Sequence, residues 1–92
     1  MNVAAEIRNR LAMLEPLEME LTDESESHRG HAGYQEGGST HWRLSIVSPR
    51  FAGQPVVARH RMVYKALGNL MQHPIHALAI TARSPEETKG MK

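Results

Sequence analysis

Two short runs of alternating apolar and polar residues stand on either side of a long segment that cannot contribute to a core. This arrangement constrains the fold more than any other feature. Leu17, Met19 and Leu21 alternate with Glu18, Glu20 and Thr22, which predicts a half-buried strand with one wet, acidic face. Trp42, Leu44 and Ile46 alternate with His41, Arg43 and Ser45 and predict a second strand. Between them, residues 24–40 read ESESHRGHAGYQEGGST, with four glycines, three serines and no aliphatic side chain larger than alanine. That composition predicts a long flexible loop, and a loop of this length inside a small domain is uncommon and often functional. The two strands are expected to pair as an antiparallel hairpin that ends at Ser48-Pro49.

Helical spacing surrounds the hairpin. Val3, Ala4, Ile7, Leu11 and Leu14 form an amphipathic stripe stopped by Pro16. After a turn holding Phe51 and Gly53, Pro55 suits the first position of a second helix. Its stripe is Val56, Val63, Leu67, Leu70 and Met71, with Gly68 inside it and Pro74 as its stop. Residues 75–81, IHALAIT, are nearly all apolar and read as a buried third strand. Following a crossover helix, this strand is expected to lie parallel to the second by a right-handed connection. Ser84-Pro85-Glu86-Glu87 then offers a cap, a proline at the first helical position and a capping box for a last, short helix. The expected order is α-β-β-α-β-α in one α/β (α+β) domain over residues 1–92, with helices on one face of a three-stranded mixed sheet.

The 92 residues include only four aromatics, Tyr34, Trp42, Phe51 and Tyr64, so the core is expected to be aliphatic and small. There is no cysteine, which excludes disulfides and thiolate chemistry from this chain alone. No run of about 18 apolar residues exists to span a membrane, and residues 1–14 lack the apolar centre of a secretory signal. The expected location is the cytoplasm, or the equivalent compartment of an organelle, and the expected state of the isolated chain is a monomer. The net charge of +1 conceals a split. Residues 1–42 carry eight acids and three bases, whereas Arg43, Arg50, Arg59, Arg61, Lys65 and Arg83 occupy a stretch, 43–83, without a single acid. Such a split suits either an acidic partner or a phosphate backbone. No nucleophile–base pattern and no phosphate-cradling glycine loop is present, so the chain is not expected to be an enzyme.

From Leu14 to Glu87 the sequence resembles the BolA family. The resemblance is carried by LEPLEMELTDES (14–25), the His- and Gly-bearing loop, STHWRLSIVSPRFAGQ (39–54), RHRMVYKAL (59–67) and IHALAITARSPEE (75–87), in that order and spacing. It implies a fold similar to class II KH domains. It also implies an iron–sulfur accessory role with a monothiol glutaredoxin, with which a 2Fe–2S cluster is shared. The glutaredoxin and a glutathione would supply thiolates. This chain would supply His76, at the start of the last strand, and a loop histidine, His28 or His31. No cofactor is then expected in the chain alone. A neutral imidazole is a good iron ligand and can replace cysteine on one iron of such a cluster.

Arg59, His60 and Arg61 are candidates for partner binding. Residues two apart on a helix diverge by roughly 200°, so one arginine is expected to pair internally while the other faces outward. A DNA-binding transcriptional regulator is the alternative reading, with Arg43, Arg50, Arg59, Arg61 and Lys65 as the basic set. The sequence departs from many relatives at Thr88, where an aromatic residue is common. His41 is expected to be structural or surface-exposed, and His73 to sit at a helix end.

Overall fold

The computed structural model describes residues 2–25 and 40–89. The first helix, α1, spans Val3–Leu11. It is capped by Asn2, whose side chain accepts the Ala5 N–H at 3.0 Å. Ile7 and Leu11 turn inward, and a tight 3₁₀ turn at Ala12–Leu14 adds Leu14 to the buried side. The chain then leaves through Glu15, whose left-handed φ of 52° makes further helix impossible.

Strand β1 (Glu18–Asp23) pairs antiparallel with β2 (His41–Val47), as the alternating pattern predicts. Met19 lies opposite Ile46 and Leu21 opposite Leu44, facing the core, while Glu18 and Glu20 oppose Val47 and Ser45 on the other face. Leu17 does not join this stripe. It sits one residue before the ladder, where the opposing chain turns away at Ser48, and remains 64% exposed. Ser48 is itself fully buried and joins three elements. Its hydroxyl donates to the Leu14 carbonyl and accepts the Arg50 N–H, and its own N–H donates to the Arg83 carbonyl.

Helix α2 (Val56–Leu67) buries Val63, Ala66 and Leu67 against the sheet, with Pro55 as its cap rather than its first residue. Two expectations fail here. Val56 lies at the correct helical spacing, but the first turn projects past the packed core, so Val56 is 64% exposed. Gly68 does not sit within the helix either; it ends it. Its φ of +57° belongs to the left-handed region that glycine enters at little cost. A 3₁₀ turn at Gly68–Met71 then carries Leu70 into the core. The carbonyls freed at this end are partly met by α1: the Arg10 Nη1 donates to the Leu67 carbonyl and to the Asn69 side chain, each at 2.8 Å.

Strand β3 (Ala77–Arg83) lies parallel to β2, giving the sheet order β1-β2-β3. Leu78, Ile80 and Ala82 align with Trp42, Leu44 and Ile46 on the helix-covered face. The expectation of a strand buried on both sides is corrected. Ala77, Ala79 and Thr81 lie on the open face and are exposed, because no layer covers that side among the described residues. Short alanine side chains leave little apolar area there to be covered. Helix α3 (Pro85–Lys89) closes the described chain. The core is accordingly one-sided: Ile7, Leu11, Trp42, Leu44, Ile46, Phe51, Val63 and Leu67 meet between the helices and one face of the sheet.

Candidate functional site

His76 stands just before β3 rather than within it. The turn that leads there is anchored by Ile75, which is buried and donates its N–H to the Leu70 carbonyl at 3.1 Å. The next two amides, of His76 and Ala77, both donate to the Thr40 carbonyl, at 2.7 and 3.1 Å. The His76 backbone is therefore held from both sides while its side chain is exposed. It does not share a strand face with Leu78 and Ile80; the bend ahead of the strand turns it out of the ladder.

The neighbour of this imidazole is His41. The two rings are stacked, with centroids 6.2 Å apart and planes within 8° of parallel. His41 is buried, and its Nδ1 lies 2.8 Å from the Thr40 hydroxyl. Behind Thr40 sits Ser25, also buried, whose hydroxyl oxygen accepts the N–H of Thr40 at 3.0 Å and of His41 at 3.2 Å. Ser25 donates its own N–H to the Asp23 carboxylate at 2.9 Å. Glu24 donates its N–H to the His41 carbonyl at 2.7 Å. These bonds tie together the two points at which the chain enters and leaves residues 26–39. Of the two expectations for His41, structural or surface-exposed, the structure shows the structural one, although Arg43 two residues on is exposed. One available signal was the parallel register, which sets His41 opposite Ala77 and so beside His76.

His28 and His31, the loop candidates, lie outside the described residues. Among the described residues no group of three potential ligands is gathered. Two imidazoles, of which only one is exposed, make a donor set able to complete a metal centre that other ligands hold, rather than a closed site.

At the far end of β3 a second polar cluster forms around Arg59. Its side chain is only 9% exposed, and every nitrogen donates. Nε donates to the Gln54 carbonyl at 2.7 Å, and Nη1 to the Ala82 carbonyl at 3.0 Å. Nη1 and Nη2 meet the two oxygens of Glu87 at 2.6 and 3.1 Å, the forked geometry that suits a guanidinium and a carboxylate. Glu87 also completes the capping box: its Oε1 accepts the Ser84 N–H at 2.7 Å, and its own N–H donates to the Ser84 hydroxyl at 3.4 Å. The hydrogen bonds from Arg59 and then from the Ser84 N–H pull the Glu87 carboxyl down from 4.5 to about 2. Arg59 therefore leaves both the partner-binding and the nucleic-acid candidates, because its donors are committed internally. The divergence of Arg59 and Arg61 is as expected. Arg61 is exposed, while His60 is half-buried beside β3.

The remaining basic residues do not gather on one surface. Arg43 lies on the open sheet face and pairs with Glu24 at 3.0 Å. Arg50 pairs with Glu15 at 2.7 Å. Arg61 and Lys65 lie on α2, across the sheet from Arg43. The acid-free stretch in the sequence is thus divided between opposite layers of the fold, and two of its arginines find acids that precede it, Glu24 and Glu15.

Comparison with known proteins places this geometry. Residues 11–87 match the family model described as BolA-like protein. The chain is 44% identical over 88 residues to BolA-like protein 1 of Bos taurus, covering 95% of this chain and 62% of that protein. It is 33% identical over 81 residues to the DNA-binding transcriptional regulator BolA of Escherichia coli K12, covering 88% of this chain and 73% of the relative. It is 41% identical to the SufE-like protein 1 of Arabidopsis thaliana, of which it spans 23%. Several of these relatives are therefore longer proteins, of which this chain covers less than two thirds. Among solved structures, the BolA domain of SufE1 from Arabidopsis thaliana superposes with a TM-score of 0.83 at 39% identity, covering 95% of this chain and 96% of that one. With the family model spanning both strand-end clusters and the whole mixed sheet, the chain belongs to the BolA-like protein family.

Proposed function

We propose that this BolA-like domain is a non-enzymatic iron–sulfur accessory protein that shares a 2Fe–2S cluster with a monothiol glutaredoxin, with His76 as one ligand. The observation that carries this reading is the pairing of an exposed imidazole with a fixed backbone at the start of β3. A ligand must be accessible to a cluster held largely by another protein, and it must not move when bound. His76 meets both conditions: Thr40 fixes its backbone and the His41 ring fills the space beside its side chain. Bound to the cluster, His76 would contribute a neutral imidazole nitrogen, with His28 or His31 as the second donor from this chain. The chain has no cysteine, so the thiolates come from the glutaredoxin and glutathione. Alone, the protein holds no cluster and is a monomer of the cytoplasm.

The test is visible absorption and circular dichroism of the protein mixed with a monothiol glutaredoxin, glutathione, iron and sulfide. The expected result is a spectrum distinct from that of the glutaredoxin's own cluster, reverting to it with His76→Ala. A wild-type spectrum indistinguishable from the glutaredoxin's own would overturn the reading. It would leave the second one, DNA binding, which rests on the description of the Escherichia coli relative as a DNA-binding regulator. The dispersal of Arg43, Arg50 and Arg61 over different faces weighs against that alternative.

A further inference from the structure

The two outer edges of the sheet are made differently. β1 carries Glu18, Glu20 and Asp23, and charges along an edge discourage foreign strands from pairing with it. β3 from Ala77 to Ala82 carries neither a charge nor a proline. Its hydrogen bonds fix which atoms look outward. Ala77 donates its N–H to Thr40, and the Arg83 carbonyl accepts from Ser48, so residues 77, 79, 81 and 83 address β2. By the alternation of a parallel ladder, Leu78, Ile80 and Ala82 present their N–H and C=O to the outer side. The Ala82 carbonyl is taken by Arg59 at 3.0 Å. No described strand lies outside Leu78 and Ile80.

Beside this edge runs an open groove of about 370 Å³ between α2 and β3. Val56, Ile80 and Ala82 give it an apolar floor, with His60 and Arg83 on its lining. The one carboxylate on its lining among the described residues, Glu87, is held by Arg59 and Ser84. Arg61 and Lys65 lie on the exposed side of α2, turned away from the groove-lining Arg59 and Val56, and add nothing to its lining.

We infer that the outer edge of β3 takes an extended, acidic segment of a partner protein as a fourth strand. The backbone of Leu78 and Ile80 would supply hydrogen bonds, and the groove would receive an aliphatic side chain from every second residue of the segment. Arg83 on the groove's lining favours acidic flanks over basic ones. This inference is independent of the cluster reading, since none of the residues it uses is a proposed ligand.

The test uses the whole chain and the peptide Ac-EVEVE-amide, with Ac-KVKVK-amide and an eight-residue oligothymidine as rivals, followed by amide NMR. The acidic peptide should shift the Leu78 and Ile80 amides and slow their exchange with solvent. A dissociation constant on the order of 10–100 µM is expected for so small an interface. The double variant His60→Glu, Arg83→Glu should weaken this about tenfold, and comparison of its amide spectrum with the wild type reads its folding. Equal binding of the basic peptide, perturbation away from β3, or binding of the oligonucleotide alone at this edge would overturn the proposal. So would slow exchange at Leu78 and Ile80 that appears only as the protein concentration rises, because the occupant would then be a second copy of the chain.

Discussion

β3 has a polar cluster at each end, and the two are organised on opposite principles. At its C-terminal end Arg59 is buried with all its nitrogens donating, and Glu87 accepts from both Arg59 and the Ser84 N–H. At its N-terminal end the hydrogen bonding is concentrated in the backbone, through the Thr40 carbonyl and the Ser25 hydroxyl, and the His76 side chain remains exposed. A cluster whose arginine spends four of its five N–H donors internally holds elements together and offers a partner little. A cluster that fixes only the main chain leaves its side chain able to react. The charged triplet Arg59-His60-Arg61 looks more like a binding motif than a lone histidine does, yet the structure assigns its first arginine to the interior.

The strongest test of this contrast is Arg59→Ala. It removes a packed aliphatic stem and leaves the carbonyls of Gln54 and Ala82 without their donor, so a loss of about 2–4 kcal/mol is expected. In a domain of this size that corresponds to a drop in Tm of more than about 8 °C, read by thermal or denaturant unfolding. Arg59→Lys should recover only part of it, since an ammonium cannot reproduce the forked contact with Glu87 and still reach both carbonyls. A stability change within about 0.5 kcal/mol would show that the C-terminal cluster is not a lock.

Much of this architecture was legible in the sequence, and the failures have common physical causes. Period-two alternation identified β1 and β2, and their antiparallel pairing followed, because one face of each is buried and the other wet. The capping box at Ser84 and Glu87 was legible for the same local reason. The boundaries that were missed depend on what lies beyond the element. Leu17 and Val56 have core-like spacing, but among the described residues no opposing layer covers them. Gly68 required a backbone angle that no apolar pattern encodes. The association of His41 with His76 arises only when β2 and β3 align in parallel, bringing together residues 35 positions apart, and Arg59 finds Glu87 across a similar distance.

Acid titration probes the saturated cluster more gently than deletion. Glu87 has its carboxyl lowered from 4.5 to about 2, first by the hydrogen bond from Arg59. A carboxyl depressed in the folded state stabilises fully above its unfolded value and loses that contribution as pH falls toward the folded one. The stability of the wild type should therefore decline between pH 4.5 and pH 2 with a component that Glu87→Gln lacks, while the variant is the less stable of the two near neutrality. The carboxylate is partly exposed, so added salt should diminish the difference. Urea midpoints measured across this range provide the check, and parallel pH profiles for the two proteins would mean that the Arg59 contact does not persist in solution.

The smallest expected effect bears most directly on function. His76→Ala removes an exposed side chain whose backbone bonds to Thr40 do not depend on it, so unfolding free energy should change by no more than about 0.5 kcal/mol. His41→Ala should cost more, about 1–2 kcal/mol, because it empties a buried position and leaves the Thr40 hydroxyl without its neighbour. The order matters more than either value. A residue kept for stability is costly to remove, as Arg59 is expected to be, whereas one presented to a partner is nearly silent in the isolated chain and decisive only in the complex. If His76→Ala proved as destabilising as Arg59→Ala in denaturant titration, the two ends of β3 would be alike, and the exposed imidazole would lose its claim to be held ready for a cluster.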